Sequence, residues 1–317
     1  MHKMIKTRIF LPLLFLLASC TAIQTNLSAV GSNLSALTGP PQKVSHKTSQ
    51  PIRHDARLAV LWIGHASALI QIDDKFILTD PVFTNTVGQF SKRLVAPGID
   101  PENLPMLDAV LVSHLHIDHF SPYSLDMIKT RIRQLVMPQG GFVYLPNFAF
   151  SASELKTNET LDIGDLKITA VPVIHNGWRY GLDNSWMKTS YTGYIIDYHG
   201  IRVFFSGDTA YDAELFQEMG KRYPGIDLAL LPVAPVHPRE YSKVRHTDPA
   251  EAIQIMIDSG ARCMIPIHYG TFPESLDQPG EALKLLQQEK TRLGLSDSQV
   301  IPLEIGEQKV LIFQPGI

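Results

Sequence analysis

The sequence predicts a layered domain in which β-sheets pack against α-helices, an α/β (α+β) fold. Short apolar segments typical of strands recur along the chain, and stretches with helix-start signals lie between several of them. Hydrophobic residues make up 44% of the 317 residues and charged residues 19%, which is ordinary for a protein with a sizeable core. Residues 58–317 have the length of one domain and contain no second linker and no internal repeat.

The first 20 residues are typical of a bacterial lipoprotein signal peptide. Three basic residues precede an apolar run at 9–17, which is shorter than the roughly 20 residues that a membrane-spanning helix needs. The residues Leu17-Ala18-Ser19-Cys20 resemble a lipobox, which implies cleavage before Cys20 and lipidation of its thiol. The expected location is the bacterial cell envelope, with a lipid anchor in the membrane, on the periplasmic side or at the outer membrane in a Gram-negative species.

Residues 21–57 are predicted to form a flexible tether or an N-terminal arm. The segment contains no aromatic residue and is rich in Ser, Thr and Asn, so it buries too little apolar area to offset its ordering entropy. It would join the anchor to the folded domain at 58–317.

Ten strands and three helices are predicted within that domain. Ser121-Pro122 supplies the N-cap and first helical residue of a helix that continues to about Gln134, and Thr247-Asp248-Pro249 does the same for a helix over 249–258. A third helix is predicted over 281–293. The strands are predicted at 58–63, 68–72, 76–79, 109–113, 166–173, 191–198, 201–205, 228–232, 263–267 and 309–313.

Charge and cysteine content exclude several classes of protein. The formal charge of −3 leaves no basic surplus, so no nucleic acid is expected as a partner. Two cysteines exclude a disulfide scaffold and a Cys-rich zinc module, and Cys263 is expected to be a buried core residue. Twelve histidines remain to be explained, and histidine is the commonest metal ligand in proteins.

A cluster of candidate metal ligands follows the strand predicted at 109–113. The run His114-Leu115-His116-Ile117-Asp118-His119 places four ligand side chains within six residues. His114 and His116 can share one metal, whereas Asp118 and His119 can begin a second site beside it. Nitrogen and oxygen ligands without thiolates suit two Zn²⁺ ions, with Mn or Fe as alternatives. Three further candidate ligands each follow a predicted strand: His175, Asp208 and His268.

These motifs resemble those of the metallo-β-lactamase fold superfamily. H-x-H-x-D-H, a later His, G-D-T and a final I-H occur in the superfamily's order between residue 58 and the C-terminus. The resemblance implies a four-layer αββα sandwich. It also implies that the first metal is held by His114, His116 and His175, the second by Asp118, His119 and His268, and that Asp208 bridges the two.

Within the superfamily the chain is similar to N-acyl-phosphatidylethanolamine phospholipase D and its bacterial relatives, a branch that neighbours the ascorbate-6-phosphate lactonase-like proteins. The similarity lies in W-I-G-H-A-S at 62–67, L-T-D-P at 78–81, M-G-K-R at 219–222, H-T-D-P-A-E-A at 246–252 and I-H-Y-G-T-F at 267–272. It implies that His246 lies near the substrate's head group. Three features differ: Arg245 stands in place of the branch's glutamine, residues 116–121 read H-I-D-H-F-S where the branch has H-Y-D-H-L-D, and residues 176–180 replace its tryptophan-rich segment.

The predicted function is hydrolysis by a hydroxide that bridges two zinc ions. Two metals about 3.5–4 Å apart lower the pKa of such a water and polarise the oxygen under attack. Asp118 would orient the hydroxide, His246 would contact a substrate phosphate or donate to the leaving oxygen, and Arg245 would favour an anionic group. The preferred activity is a phosphodiesterase of phospholipase D type on a lipid-like or small-molecule substrate. A lactonase or other acyl (lactone or lactam) hydrolase is the alternative, and a non-catalytic metal-binding lipoprotein a lesser one.

Four other residues allow two interpretations each. His65 either hydrogen-bonds a metal ligand or is a satisfied core histidine. Asp80, before a proline, either hydrogen-bonds a ligating histidine or stabilises a turn. Trp178 and Phe272 either form an apolar wall for an acyl chain or belong to the core.

Overall fold

The strands of the protein fall into two main sheets that face each other. The computed structural model describes residues 40–87, 91–273 and 275–315. In spatial order, the first sheet contains β15 (Gln308–Phe313), β1 (Ala56–Gly64), β2 (Ser67–Ile72), β3 (Lys75–Thr79), β6 (Ala109–Leu111), β7 (Gln134–Pro138) and β8 (Ser151–Leu155). The second contains β14 (Met264–Ile267), β13 (Leu228–Pro232), β12 (Ile201–Phe205), β11 (Gly193–Tyr198), β10 (Leu166–Val171) and β9 (Thr160–Ile163). A separate pair is formed by β4 (Thr86–Val87) and β5 (Ser91–Lys92).

Helices cover the outer faces of both sheets. The α-helices of the described residues are α1 (Pro122–Ile128), α2 (Asn184–Met187), α3 (Ala213–Arg222), α4 (Arg239–Ser242), α5 (Pro249–Asp258) and α6 (Glu281–Arg292). Single 3₁₀ turns occur at Pro101–Asn103, Lys129–Arg131 and Gly141–Tyr144. α5 packs on β13 and β14 and also contacts α3 and α6, so these helices form one outer layer.

The alternation of side chains along β1 shows how the layers are divided. Val60 and Trp62 point into the cluster between the two sheets, whereas Leu61 and Ile63 point to the opposite face, where α1 packs. Cys263 is likewise buried, and burial raises the pKa of its thiol to about 11. Two facing sheets between helical layers are the four-layer αββα sandwich that the resemblance implies, so that prediction is confirmed.

One helix is shorter than predicted. α1 begins as expected, because Ser121 Oγ accepts from the Ser124 amide at 3.2 Å, but it ends at Ile128 instead of near Gln134. Gln134 begins β7, which pairs in parallel with β6. The gain from pairing with a distant strand outweighs the local helix signal, and that gain is invisible in the sequence around residue 130. By contrast, α5 has the predicted bounds, with Asp248 as its N-cap.

Residues 40–55, within the predicted tether or arm, lie against the domain. The Gln42 amide donates to the Leu94 carbonyl at 2.8 Å, and the Arg53 amide donates to Gln71 Oε1 at 2.9 Å. β1 then begins at Ala56, two residues before the predicted domain start. The predicted signal peptide, the predicted lipidation site Cys20 and residues 21–39 lie outside the described residues. Among the helices of the described ranges, none has the length and apolarity required to cross a membrane.

The topology brings several strand ends to one edge of the sandwich. β12, β13 and β14 are parallel, and β10 runs in the same direction because both it and β12 are antiparallel to β11. In the other sheet, β3, β6, β7 and β8 are parallel. The loops that follow β6, β10, β12 and β14 therefore meet, and ligand sites in such folds form outside the carboxyl ends of strands.

Candidate metal centre

The predicted ligand side chains converge at this edge. The loop after β6 contributes four of them, and the loops after β10, β12 and β14 contribute one each. Most are buried, and His116 and Asp118 are partly exposed. The seven side chains are His114, His116, Asp118, His119, His175, Asp208 and His268.

The first group consists of three histidine nitrogens. His116 Nδ1 is 2.9 Å from His114 Nε2 and 3.2 Å from His175 Nε2. Asp208 Oδ2 is 3.9 Å from both of those Nε2 atoms. A tetrahedral Zn²⁺ with bonds of about 2.0–2.1 Å separates its ligand atoms by about 3.4 Å, so these four atoms have the spacing of one coordination shell.

The second group uses the same oxygen of Asp208. Asp208 Oδ2 is 3.3 Å from both His119 Nε2 and His268 Nε2. Asp118 Oδ2 is 3.7 Å from the first of those nitrogens and 3.8 Å from the second. One carboxylate oxygen therefore lies within 3.9 Å of candidate ligand nitrogens in both groups.

Buried partners set the tautomer of three histidines. His119 Nδ1 donates to Asp80 Oδ2 at 2.7 Å, and His175 Nδ1 donates to the Arg245 carbonyl oxygen at 2.9 Å. Since a carboxylate and a carbonyl can only accept, Nδ1 carries the hydrogen of each ring. In the neutral ring that metal binding requires, Nε2 therefore keeps the lone pair and directs it into the centre. Of the two interpretations of Asp80, the structure shows the hydrogen bond to a candidate ligand.

Ser113 extends this support to His114. Ser113 Oγ donates its single hydrogen to Asp80 Oδ2 at 2.6 Å, so toward His114 Nδ1, at 2.9 Å, it can only accept. His114 Nε2 is therefore also a free acceptor that faces the centre. This role of Ser113 was not predicted, although its position directly before the first histidine of the motif could have suggested it.

A glycine allows Asp208 to approach the histidines. Gly207 has φ +58°, and a Cβ at this position would lie 2.3 Å from Ser113 Cβ. The G-D-T sequence thus needs glycine for its backbone conformation and for its close contact with the loop after β6. Positive φ also occurs at three non-glycine residues of the site, His65, Asp80 and His268. Strained backbone of this kind clusters at functional sites.

The electrostatics of the centre favour bound cations. Burial would raise the pKa of Asp208, but His119 and His268 outweigh it and hold that pKa well below its usual range. Burial would lower the pKa of His119, but Asp208 and Asp118 outweigh it and raise that pKa to about 10. Two ionised carboxylates thus lie among imidazoles, and Asp208 Oδ1 is buried without a hydrogen bond. This donor set fits a pair of divalent metal ions.

His65 contacts a candidate ligand of the second group. Its Nε2 donates to Asp118 Oδ2 at 3.1 Å, and its ring lies 3.9 Å from that of His268. Burial lowers the pKa of His65 to about 3, so it is neutral at pH 7. Its backbone is held by Thr271 Oγ1, which accepts from the His65 amide at 2.6 Å, and by Trp62 Nε1, which donates to its carbonyl at 3.0 Å.

His246 is at the open side of the centre. Its Nδ1 is 3.5 Å from Asp208 Oδ2, and one fifth of its side chain is exposed. Burial lowers its pKa to about 4, so the imidazole is neutral at pH 7. Arg239 Nη1 donates to the His246 carbonyl at 2.9 Å, and the same guanidinium pairs with Glu251. This support was not predicted, because it depends on contact between α4 and α5. The side chain of Arg245 is exposed beside it.

The two predicted aromatic wall residues differ in their exposure. The ring of Trp178 is half-buried and lies 4.5 Å from that of His116, so it borders the centre. Phe272 is only 4% exposed and packs beneath His65, with a ring separation of 5.2 Å, in a small cluster with two valines. Because it has almost no accessible surface, Phe272 is a core residue in this structure and not a pocket wall.

Replacing Asp80 with asparagine is expected to weaken metal binding by about 10–100-fold, the usual cost of losing a partner of a ligating histidine. The amide nitrogen of Asp80→Asn cannot accept from His119 Nδ1 or Ser113 Oγ. The measurement is a metal titration in competition with a coloured chelator.

Asp108→Asn is the matched control for this variant. Asp108 is also a buried carboxylate and accepts from the Phe76 amide at 3.0 Å, but it lies at the opposite end of β6 from the centre. The control should lose stability and keep its metal affinity. Equal affinities for Asp80→Asn and the unmodified protein would contradict the role of Asp80.

The family model and the similar proteins that match this chain indicate the same family. A family model described as a beta-lactamase superfamily domain matches residues 75–269, a span that contains all seven candidate ligands. N-acyl-phosphatidylethanolamine-hydrolyzing phospholipase D 1 of Caenorhabditis elegans is 28% identical over 286 residues, which cover 83% of this chain and 79% of that protein. The mitochondrial N-acyl-phosphatidylethanolamine-hydrolyzing phospholipase D of Saccharomyces cerevisiae is 32% identical over 241 residues, and the match covers 71% of this chain but only 51% of the yeast protein.

A solved structure shares the fold. Igni18, a metallo hydrolase from the archaeon Ignicoccus hospitalis, superposes with a TM-score of 0.59 over 80% of this chain and 97% of that one. Its sequence identity is 23%, so the likeness concerns the fold alone.

Proposed function

Because this chain belongs to the beta-lactamase superfamily, we propose that it is a metal-dependent hydrolase that cleaves a phosphodiester, in the manner of a phospholipase D, in a lipid-like or small-molecule substrate. The predicted membership of the superfamily, in the branch of the N-acyl-phosphatidylethanolamine phospholipases, is confirmed by these matches. The observation that carries the proposal is the position of Asp208 Oδ2 between two sets of ligand atoms.

The candidate ligands fall into two metal positions on either side of Asp208 Oδ2. His114, His116 and His175 would hold one ion, and Asp118, His119 and His268 the other. We propose Zn²⁺ for both, because the ligand atoms are nitrogens and oxygens at tetrahedral spacing. Such ions, when bound, would lower the pKa of a water between them and polarise the oxygen under attack.

The protein's own side chains would position the reactants. His65 holds Asp118 through Oδ2, so the carboxylate keeps one orientation. His246 faces the centre through Nδ1, which has no hydrogen bond and is neutral at pH 7, so this atom can take up a proton. The same proton can then pass to the alkoxide that departs from phosphorus. His246 therefore has the same charge before and after the reaction. Trp178 shields His116 from water on one side.

Two observations favour a phosphodiester over a lactone. The exposed guanidinium of Arg245 adjoins His246, where an anionic phosphate would gain from it and a neutral lactone would not. The matched relatives in C. elegans and yeast carry names that state hydrolysis of a phosphodiester lipid. A lactonase or lactam hydrolase would use the same metals, so the test must distinguish it from a phosphodiesterase.

The test is turnover by the zinc-loaded full chain on three substrates. These are an N-acylated phosphatidylethanolamine in mixed micelles, a soluble aryl phosphodiester and a panel of lactones. We expect phosphomonoester products from the phosphodiesters and no turnover by an Asp208→Asn control. Lactone turnover without phosphodiester turnover would overturn the substrate class, and metal binding without turnover of any substrate would favour the non-catalytic alternative.

We also propose that the chain is lipid-anchored in the bacterial cell envelope through Cys20. The support is the charged start, the short apolar run and the lipobox-like residues of the first 20 positions. A Cys20→Ala variant should lose incorporation of radiolabelled palmitate. Equal labelling of the two proteins would refute the anchor.

A further inference from the structure

Exposed apolar side chains border the metal centre. Leu182 is 92% exposed and Tyr180 and Trp186 are each 63% exposed, all in the segment that follows Trp178 and includes the short helix α2. Val143, in the neighbouring turn Gly141–Tyr144, is 69% exposed. Tyr144 joins the two segments, because its ring packs edge-on against Tyr180 at 5.5 Å. We call Val143, Tyr180, Leu182 and Trp186 the rim patch.

The segment that carries three of the four rim-patch residues is held against the loop that follows β6. Arg179 Nη1 donates to the carbonyls of Leu115 and Phe120, each at 2.9 Å, and Leu115 lies between two of the candidate ligands. Asp183 accepts from the amides of Arg179 and Tyr180 and from the Tyr144 hydroxyl. The apolar side chains are therefore presented to solvent by a hydrogen-bonded loop. Several exposed apolar side chains on a short segment and its neighbouring turn are typical of an interaction site.

Basic side chains accompany the apolar ones. Lys188 is exposed at the end of the same loop, and Lys243 and Arg245 are exposed in the segment that leads to His246. Val244, between those two, is 56% exposed. Across both segments, Glu240 is the single exposed acidic residue with a described side chain. Exposed Trp, Tyr and Leu beside cationic side chains match the chemistry of an anionic phospholipid surface.

We propose that the rim patch inserts into the interfacial region of an anionic phospholipid bilayer, so that the metal centre opens at the membrane surface. Trp and Tyr favour the head-group level, where the apolar part of the ring is buried and its polar atom stays hydrated. A lipid phosphodiester lies at that depth and would reach the centre without leaving the bilayer. The choice of a lipid partner rests on the proposed function, but the insertion itself can be tested without turnover.

The test is quenching of tryptophan fluorescence in the zinc-loaded full chain by vesicles of phosphatidylglycerol and phosphatidylcholine with brominated acyl chains. The other tryptophans are Trp62, which is buried, and Trp178, which is half-buried, so Trp186 is the residue placed to meet the bromines. We expect quenching in the unmodified protein to exceed that in Trp186→Phe by about twofold or more. Leu182→Glu, which puts a charge at the most exposed position, should lower the quenching.

The control moves the probe to the far end of the domain. Phe313 is also 63% exposed, but it pairs with Ala56 at the start of β1. The end of β1 that leads to the metal centre is about 26 Å away, the length of the strand. In Trp186→Phe/Phe313→Trp the new tryptophan should not be quenched, even if a lipid anchor holds the protein on the vesicle. Equal quenching at positions 186 and 313, or no loss of quenching in Trp186→Phe, would overturn the proposal.

This outcome is separable from the proposed function. Quenching at Trp186 with no phosphodiester turnover would retain the membrane surface and refute the phosphodiesterase. Turnover of the soluble phosphodiester without quenching would retain the phosphodiesterase and refute membrane insertion. The rim patch would then have to serve contact with another protein. Leu182→Glu should keep its activity on the soluble substrate and its zinc content, which shows that the variant is folded.

Discussion

Replacement of Asp208 by alanine is expected to remove both metals together and to lower kcat/KM by about 10³-fold or more, because several kcal/mol of transition-state stabilisation depend on the bound ions. A single oxygen, Oδ2, lies 3.3 Å from His119 Nε2 and His268 Nε2 and 3.9 Å from His114 Nε2. The measurement is metal content by mass spectrometry together with turnover.

The matched control for this variant is Asp212→Asn. Asp212 lies four residues further along the chain, and its Oδ1 accepts from the Leu215 amide at 2.9 Å as the N-cap of α3. Its replacement by asparagine keeps a capping side chain and should change neither metal content nor turnover. Retention of both metals by Asp208→Ala would show that the two groups bind independently, and the dinuclear interpretation would fail.

Replacement of His246 by alanine is expected to leave metal content unchanged and to lower kcat by about 10²–10⁴-fold, the usual range for loss of a general acid–base group. His246 Nδ1 faces the centre at 3.5 Å from Asp208 Oδ2 and lies within reach of a metal shared with His175 and Asp208. Each proposed metal position nevertheless has three other candidate side chains besides the shared Asp208, so the metals should remain bound without His246. The measurement is steady-state kinetics on the soluble phosphodiester, with metal analysis of the same samples.

His237→Ala is the control for His246→Ala. His237 is in the same segment before α5, but its side chain is nearly half exposed and pairs with Glu281 at 3.2 Å. Its loss should leave kcat unchanged. A rise of KM at constant kcat in His246→Ala would reduce the residue to a substrate contact and remove its role in proton transfer.

The convergence of the candidate metal ligands could be predicted because their signal is local. Four candidate ligands within six residues, followed by three that end strands, need only the rule that strand ends meet at one edge of a sheet. Their supports have no such signal. Asp80 was proposed with two interpretations, and its contact with His119 joins residues 39 apart in the chain. The clamp of Arg239 on His246 depends in turn on the packing of α4 against α5.

Local patterns in the sequence predict the layered fold class, ten of the strands, the starts of three helices and the candidate metal ligands. Those properties follow from apolar periodicity, from terminal residues such as Ser121 and Asp248, and from residue types that coordinate metals. Three features became visible only in the folded chain: residue 134 begins a strand instead of ending a helix, Phe272 is core, and exposed apolar side chains border the site. The physical reason is that strand pairing, burial and exposure are set by contacts between distant parts of the chain, which no local pattern contains.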